Sequence, residues 1–351
     1  YLINKIIIFY YLSSYINLQS KIVYRKIYFI IPTFNDAITG GTMYDLQLCR
    51  YLKKIYINVN TIFVDHRIDH KKLFAKIQLL PKHSIIYIDG YIADKITGFM
   101  RKRKNICILI HHPKSLEYSD RMINLNLFFK EKFAFSNAKS IMTVSKYMKR
   151  TINKYLTKKV NVNIIKPGID QSFFKCVINK NSHNILTIGN IIPRKGYIWL
   201  IKSLSKLDCD WHLNIIGKYE KDDEYYKFLI KTIKSYNIEN KISFLGTISS
   251  KKLCEYLVNS KLFVLTTYYE GFGMSLLEAS IAGLKVITTD LPVLRETLRN
   301  RDVLFITKND HTSLANSINI CLSGEPVKKS KNNYIYSWER AALEFKQINH
   351  G

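Results

Sequence analysis

The chain has 351 residues, 47% of them hydrophobic, which is enough for about two domains with packed cores and excludes intrinsic disorder. Lys and Arg number 54 against 27 Asp and Glu, so the net charge of +27 indicates an anionic partner such as nucleic acid, lipid headgroups or phosphorylated small molecules. Residues 1–175 hold 30 of the cations against 10 acids. The six cysteines occur singly, which argues against a zinc site and a dense disulfide framework and favours a reducing compartment.

The first twenty residues carry one charge, Lys5, and an apolar run from Ile6 to Leu12 that is too short to predict a membrane span. A shortened membrane anchor, an interfacial segment and an ordinary packed element all remain open here, so residues 1–22 are treated as an apolar extension of unknown role. No later stretch is long and apolar enough to cross a bilayer. We therefore expect a cytoplasmic protein, soluble or peripheral on the inner face of the membrane.

Short apolar runs alternate with stretches of helical spacing along the whole chain. In the first half they predict strands at 26–31, 59–64, 84–88, 106–110 and 140–144, with helices at 43–54 and 146–156. In the second half they predict strands at 184–188, 212–216, 242–245, 262–265 and 286–288. Continuous β-branched runs between helices are typical of parallel sheets covered on both faces. The pattern predicts an α/β protein with two Rossmann-like domains and a boundary near residues 170–182.

Ligands of such sheets bind beyond the carboxyl ends of the strands, so the residues that follow strands are the candidates for chemistry. Gly40 and Gly41 follow the first strand and could bring bare backbone amides close to a phosphate or a sugar, or form an ordinary turn. His111 and His112 follow the strand at 106–110, as functional imidazoles or as buried structural ones. Because adjacent side chains diverge, we expect only one of the two to face the cleft.

Arg194 and Lys195 follow the strand at 184–188 and precede a helix. A guanidinium and an ammonium at a helix N-terminus can hold a diphosphate and neutralise it as it leaves. The D-x-D sequence of Asp208 and Asp210 comes before a strand, at the end away from the cleft, and is interpreted as a turn. We therefore predict no metal site and no cofactor.

The segment after the strand at 262–265 combines Glu270, Gly271, Gly273 and Glu278. The glycines free the backbone to approach a ligand, and one carboxylate can accept both vicinal hydroxyls of a ribose. Alternatively, both glutamates are helix-start carboxylates that complement the helix dipole. Their spacing alone does not decide between these interpretations.

Seven short motifs follow one another along the chain in the family's order, and together they resemble the retaining glycosyltransferases of family 4, which have the GT-B fold. The resemblance runs from about Lys26 to Phe345. The motifs are Gly40-Gly41, His111, Thr143-Val144-Ser145, Pro167-Gly168-Ile169-Asp170, Arg194-Lys195-Gly196, Phe244-Leu245-Gly246 and Glu270-Gly271-Phe272-Gly273 with Glu278.

The resemblance implies two domains that face each other across a cleft, an acceptor domain at 23–175 and a nucleotide-sugar domain at 176–335. It also implies a last helix at 336–351, starting near Ser337-Trp338-Glu339, that crosses back to the first domain. The roles it implies are the following: His111 and Glu270 catalytic, Arg194, Lys195, Gly40 and Gly41 at the donor diphosphate, Gly271, Phe272 and Gly273 around the donor sugar, and Glu278 at the ribose. The chain departs from the family pattern at Asn190, where many members carry an arginine, and Arg194 is expected to compensate.

The predicted function is metal-independent hexosyl transfer, with retention, from a UDP- or GDP-sugar to an acceptor hydroxyl in cell-surface glycan or glycolipid synthesis. The resemblance implies a front-face substitution in which the departing phosphate takes the acceptor's proton. One alternative is a basic nucleic-acid-binding protein, although no recognised nucleic-acid module is present, so we expect no such partner. The other is a non-catalytic sugar-nucleotide sensor, which the intact Glu270, Glu278, Arg194 and Lys195 disfavour.

A final pattern concerns membranes. Lys146, Arg150, Lys154 and Lys158 recur every four residues along the helix predicted at 146–156 and just beyond, next to a second stripe of Met148, Ile152 and Leu156. A second basic cluster spans residues 101–104. Arg150, Lys154 and Lys158 are predicted to face an anionic membrane surface that presents a glycan or lipid-linked acceptor. The alternative is an ordinary helix with its apolar side in the core.

Overall fold

The computed structural model describes residues 26–34, 39–100, 102–117, 125–179, 182–324 and 336–350. The apolar extension at 1–22 and Arg101 of the second basic cluster lie outside these residues. All six cysteines lie within them and are free thiols.

The first domain is a six-stranded parallel sheet with helices packed against it. Its strands are β1 (Ile27–Thr33), β2 (Val59–Asp65), β3 (Ile85–Asp89), β4 (Ile106–Ile110), β5 (Ile141–Thr143) and β6 (Val162–Ile164), in the order β2-β1-β3-β4-β5-β6. Its helices are α1 (Gly40–Lys54), α2 (His70–Gln78), α3 (Leu125–Asn137) and α4 (Lys146–Asn153). Every residue of β3 and β4 is buried, as expected for strands covered on both faces.

The second domain repeats this architecture. Its strands are β7 (Asn184–Ile188), β8 (His212–Ile216), β9 (Ile242–Gly246), β10 (Leu262–Leu265), β11 (Lys285–Thr289) and β12 (Val303–Ile306), in the order β12-β11-β10-β7-β8-β9. The helices that follow them are α5 (Tyr197–Leu204), α6 (Glu224–Ser235), α7 (Ser250–Val258), α8 (Met274–Ala282), α9 (Pro292–Thr297) and α10 (His311–Ser323). All of its strand pairs are parallel.

The predicted α/β class with two Rossmann-like sheets is confirmed, and most strand bounds agree to within two residues. Two strands were missed, β6 and β12. Both are short edge strands, and neither carries the long buried apolar run that marks the central ones. Gly40 and Gly41 form the first turn of α1, not a preceding turn, because Thr39 caps the helix and accepts from the Thr42 amide at 3.0 Å.

The last helix, α11 (Trp338–His350), packs against the first domain although it follows the second. Trp338 meets the Tyr44 ring edge-on with centroids 5.5 Å apart, and Phe345 lies 5.1 Å from the ring of Tyr87. A Cβ on Gly168 would lie 2.2 Å from the Trp338 backbone nitrogen, so only glycine fits there. The chain therefore crosses the gap between the sheets twice, and the second crossing is held by buried aromatic rings.

A second contact joins the domains at α4. Glu296, from α9, accepts from the backbone amides of Lys146 and Tyr147, both at 2.8 Å. These are free amides of the first helical turn, where a carboxylate is favourable. The second domain therefore supplies a capping group to a helix of the first.

The structure also corrects the bounds of the helix on which the membrane prediction drew. α4 ends at Asn153, so Lys154 and Lys158 lie beyond it, and the helix predicted at 146–156 was wrong at its end. The apolar residues Met148 and Ile152 are fully buried in the core of the first domain. The amphipathic pattern thus reflects packing onto β5 and β6, as in the alternative interpretation, and the cations have no apolar stripe beside them. Within the described ranges, no helix has the length and apolarity needed to cross a membrane.

Candidate active site

The strand order of the second sheet reverses between β7 and β10, which are hydrogen-bonded neighbours although two strands and three helices separate them in sequence. In open α/β sheets this switch point opens a crevice at the carboxyl ends of the strands. Arg194 and Lys195 follow β7, and Glu270 follows β10. Lys195 Nζ lies 2.5 Å from Glu270 Oε1, while Arg194 Nη1 donates to the Tyr269 carbonyl at 2.7 Å. The sequence motifs that were 75 residues apart therefore meet in one place.

Local backbone geometry fixes these two cations. Gly196 has φ +68°, and a Cβ there would lie 2.1 Å from the Thr266 carbonyl oxygen. Thr266 Oγ1 donates to the Gly196 carbonyl at 2.9 Å, and the Tyr268 amide donates to the Arg194 carbonyl at 2.8 Å. The turn that carries the cations is thus bonded along its length to the segment after β10, so its side chains keep their positions without a ligand.

The charges at this edge compensate each other. Burial disfavours the ionised form of Glu270, but the adjacent Lys195 and Arg194 outweigh it and lower the pKa of the carboxyl. Burial lowers the pKa of Lys195, and the contact with Glu270 offsets this only in part. Arg194 lies 3.8 Å from the same carboxylate. Within the second domain, two cations thus contact one carboxylate, so this edge keeps an excess of positive charge and is suited to an anion.

Glu278 lies in the second turn of α8, after Gly273 with φ +87°. Because α8 has no acid in its first turn, Glu278 is not a helix-start carboxylate. The side chain is partly buried, and among the described residues no donor or cation pairs with it. Burial, with a further contribution from Asp170, raises the pKa of Glu278 to about 8. Its carboxyl oxygens are free to meet the hydroxyls of a ligand.

His111 turns towards the interior of the first domain. Its Nε2 lies 3.0 Å from Oδ1 of Asp45, on α1, and 3.8 Å from Oδ2 of Asp89, at the end of β3. The ring rests on Gly41, where a Cβ would lie 2.7 Å from His111 Cδ2, and it meets the Tyr44 ring edge-on at 5.1 Å. Gly41 therefore makes room for the imidazole, while nothing lies within 4 Å of the position of a Cβ on Gly40. Sequence analysis missed Asp45 and Asp89.

His112 turns the other way, towards the second domain. Its Nε2 lies 2.7 Å from Glu117 Oε1, which in turn lies 3.6 Å from Arg194 Nε. The His112 ring meets the Tyr269 ring edge-on with centroids 5.6 Å apart. The expected divergence of the two side chains is thus observed, but the imidazole beside the second domain's cations is the one that the sequence analysis did not select.

The loops of the two domains touch directly at this point. A Cβ on Gly271 would lie 2.4 Å from the His111 carbonyl oxygen, so the absence of a side chain permits this approach. Phe272 is buried beside it. Behind the loop of the first domain, Glu131 accepts from the Lys114 amide at 2.6 Å and from the Ser115 hydroxyl. Burial raises the pKa of Glu131 to about 7. The first-domain loop that contains His111 and Lys114 is thus contacted by Gly271 on one side and by Glu131 on the other.

Two remaining predictions concern the departure from the family pattern and the absence of a metal. Asn190 Oδ1 accepts from the Lys218 amide at 3.2 Å and so joins the loop after β7 to the loop after β8. Asp208 and Asp210 are exposed and precede β8, at the edge opposite the switch point. The buried acids Asp45 and Asp89, together with His111, have side-chain oxygens and nitrogens within 4.8 Å of one another, and His111 Nε2 is hydrogen-bonded to Asp45 Oδ1 at 3.0 Å.

The chain is similar in sequence to known glycosyltransferases. The family model "Glycosyl transferases group 1" matches residues 168–338. An uncharacterized glycosyltransferase of Methanocaldococcus jannaschii is 24% identical over 91% of this chain and 97% of its own length. The O-antigen chain mannosyltransferase RfbU of Salmonella typhimurium is 26% identical over 67% of this chain and 66% of its own.

Solved structures share the fold. Sucrose-phosphate synthase from Thermosynechococcus elongatus superposes with a TM-score of 0.80 at 17% identity, over 93% of this chain and 98% of that one. HepE of Anabaena, in complex with UDP and glucose, superposes with a TM-score of 0.74 at 15% identity, over 93% of this chain and 100% of the other. Both have the two-domain GT-B architecture that the strand order describes. The chain is therefore similar to the group 1 glycosyltransferases, whose family model matches its second domain.

Proposed function

We propose that the chain transfers a hexose from a UDP- or GDP-sugar to an acceptor hydroxyl with retention of the anomeric configuration. One observation carries this proposal: Arg194, Lys195 and Glu270 meet at the switch point of the second sheet. A diphosphate that enters there replaces carboxylate contacts with phosphate contacts to the same cations. The two cations stabilise the negative charge that develops as the nucleoside diphosphate departs, so metal-independent chemistry needs no further counter-ion.

We assign the other predicted residues the roles that the family resemblance implies. Glu278 accepts the vicinal ribose hydroxyls, since it is partly buried on α8 with no partner among the described residues. The loop of Gly271, Phe272 and Gly273 encloses the donor sugar, next to the His111 carbonyl of the opposite domain. Glu270 contacts that sugar once the diphosphate has taken over its cations. The acceptor hydroxyl attacks from the face of the leaving group, and the departing phosphate takes its proton.

The proposal extends to where the acceptor is presented. Arg150, Lys154 and Lys158 are exposed, and several exposed cations attract a protein reversibly to anionic lipid. We place the enzyme at the cytoplasmic surface of a membrane, acting on a lipid or lipid-linked glycan. Sedimentation with vesicles tests this: the protein pellets with anionic and not with neutral vesicles, and replacement of all three cations by Glu reduces pelleting. Equal partitioning to neutral vesicles contradicts it.

Donor turnover provides the test of the activity itself. The purified chain is incubated with UDP- and GDP-sugars, with and without EDTA, and products are followed by mass spectrometry and by NMR of the anomeric carbon. We expect slow hydrolysis of one nucleotide-sugar, unaffected by EDTA, with the configuration retained. Lys195→Ala abolishes it, whereas Lys251→Ala, at an exposed lysine of α7, does not. Failure to bind any nucleotide-sugar contradicts the proposal, and loss of activity in EDTA contradicts its metal independence.

A further inference from the structure

Two buried acids and an imidazole converge at the carboxyl edge of the first sheet. Asp45 comes from α1, which follows β1, Asp89 ends β3 and His111 follows β4, and β1, β3 and β4 are consecutive strands of the sheet. Asp45 is 1% exposed and Asp89 is 6% exposed. Asp89 Oδ1 accepts from the Tyr91 amide at 2.7 Å, whereas Asp45 Oδ2 is buried without a donor among the described residues. Asp45 Oδ2 is thus the oxygen of the acid pair that can carry a proton.

The surroundings supply no compensating cation. Within the described part of the chain, neither acid forms an ion pair with Lys or Arg, and His111 is the basic group that contacts them. From α1, Tyr44 and Cys49 face the pair, and the Tyr44 hydroxyl donates instead to the Ile165 carbonyl at 2.9 Å. Burial raises the pKa of Asp45 well above its ordinary value, and burial with the charge of Asp45 raises that of Asp89 to about 7. Two carboxylates so placed retain one proton between them.

Burial outweighs the remaining negative charge in setting the protonation state of His111. Burial lowers the pKa of this imidazole, so it is neutral at pH 7 and carries its proton on one nitrogen. Nε2 lies 3.0 Å from Asp45 Oδ1, and with the shared proton of the acid pair on Asp45 Oδ2, Oδ1 can only accept, so the imidazole proton belongs on Nε2. Nδ1 then keeps its lone pair, and it forms no hydrogen bond with the residues that the structure describes.

We propose that Asp45 and Asp89 act as positioning residues that hold His111 in the Nε2–H tautomer and so make Nδ1 an acceptor for a substrate hydroxyl. Asp45 receives the Nε2 proton, and Asp89 keeps Asp45 in place by sharing a proton with it. A sugar or acceptor hydroxyl donates to Nδ1, while the diphosphate is held by the opposite domain. The substrate part of this inference rests on the proposed function, but the tautomer does not.

Nitrogen-15 NMR of histidine-labelled protein measures the tautomer directly. We expect the His111 signals, assigned by comparison with His111→Gln, to show a protonated Nε2 and an unprotonated Nδ1. In Asp45→Asn the amide can donate as well as accept, so the two tautomers mix. In Asp89→Asn the amide donates to Asp45 in place of the shared proton, so the Nε2–H tautomer persists. An Nδ1–H tautomer in the unmodified protein, or an unchanged tautomer in Asp45→Asn, overturns the proposal.

Kinetics supply the second readout. Asp45→Asn lowers kcat about tenfold or more and leaves the Kd of the nucleotide, which the other domain binds, within about twofold. Asp208→Asn, the same change at an exposed acid, leaves both unchanged and serves as the control, with thermal unfolding to verify the fold of each variant. Equal effects of Asp45→Asn on kcat and on nucleotide Kd, or stoichiometric binding of Mn²⁺ or Zn²⁺ that deprotonates Nε2, overturn the proposal. Absence of turnover in the unmodified enzyme contradicts only the proposed function, because the NMR result stands without substrate.

Discussion

The two sheets present opposite charges at the edges that face each other. At the second sheet, Lys195 and Arg194 surround Glu270 and lower its pKa. At the first sheet, Asp45 and Asp89 lie beside one imidazole and pair with no lysine or arginine among the described residues, and their pKa values are raised. The same strand-loop-helix topology builds both edges, so the difference lies in the side chains placed there. One edge is suited to a diphosphate, and the other is suited to neutral hydroxyl groups.

This contrast runs against the overall charge. Residues 1–175 carry 30 cations against 10 acids, yet the edge of their sheet is acidic. The cations of that half lie largely on the exposed surface of the domain, as Arg150, Lys154 and Lys158 do. Net charge therefore describes the surface of a domain, while the charge at a binding edge depends on the few polar side chains that are buried.

The largest effect is expected from removing the central cation of the basic edge. Lys195→Ala deletes a charged hydrogen bond worth ~1.5–3 kcal/mol and leaves Glu270 with Arg194 alone, so affinity for a nucleoside diphosphate falls more than about tenfold and turnover is lost. Calorimetry with UDP and GDP measures the loss, with Lys251→Ala as control. The matching nucleoside, which has no phosphate, should bind Lys195→Ala as well as it binds the unmodified protein. An equal loss for the nucleoside contradicts a diphosphate role.

Glu278→Ala tests the ribose contact with a smaller effect. Because a pKa of about 8 leaves this carboxyl largely protonated at pH 7, each hydrogen bond contributes ~0.5–1.5 kcal/mol, and the loss of two lowers nucleotide affinity about tenfold. The sharper measurement compares a nucleotide with its 2′-deoxy form. The unmodified protein distinguishes the two, and Glu278→Ala does not, because the carboxyl that recognises the hydroxyl is gone. Discrimination that survives in the variant removes Glu278 from the ribose site.

The acidic edge predicts a pH dependence of stability. The pKa of Asp89 rises to about 7 on folding from an ordinary value near 4, so its unfolded form loses a proton first as the pH rises. Its contribution to the free energy of unfolding is therefore full below about pH 4 and is lost between about pH 4 and 7. Asp89→Asn removes this dependence and gains on the order of 2 kcal/mol relative to the unmodified protein between pH 5 and 8. Urea unfolding across that range measures it, and a difference that is independent of pH contradicts the assignment.

Glu117→Gln has the smallest expected effect and tests where the two edges meet. Glu117 lies 3.6 Å from Arg194 and competes with a diphosphate for it. Without the charge, nucleoside diphosphates bind a few-fold more tightly, and the gain shrinks at high salt. Glu239→Gln, at an exposed acid of the second domain, should leave binding unchanged. Weaker binding of the diphosphate to Glu117→Gln contradicts the competition.

The sequence alone determined the elements of each domain and the order in which the ligand-facing loops follow the strands. Continuous buried runs such as those of β3 and β4 can be recognised because covering both faces of a strand demands apolar side chains throughout. Glu270, Arg194 and Lys195 could be selected because they lie in loops that follow strands, and Glu278 because it lies in the helix after such a loop, where parallel topology opens a crevice. Short edge strands such as β6 escaped because they bury less and have no such run.

Only the tertiary structure decided which side chains meet. Asp45 and Asp89 come from separate segments with no local signal, and they act together because β1, β3 and β4 are adjacent in the sheet. The choice between His111 and His112 depended on the direction in which each imidazole points. The role of the helix after Ser145 depended on whether Met148 and Ile152 pack into the core. Such contacts depend on chain crossings that bring distant residues within a few ångströms, and periodicity records only what happens along one segment.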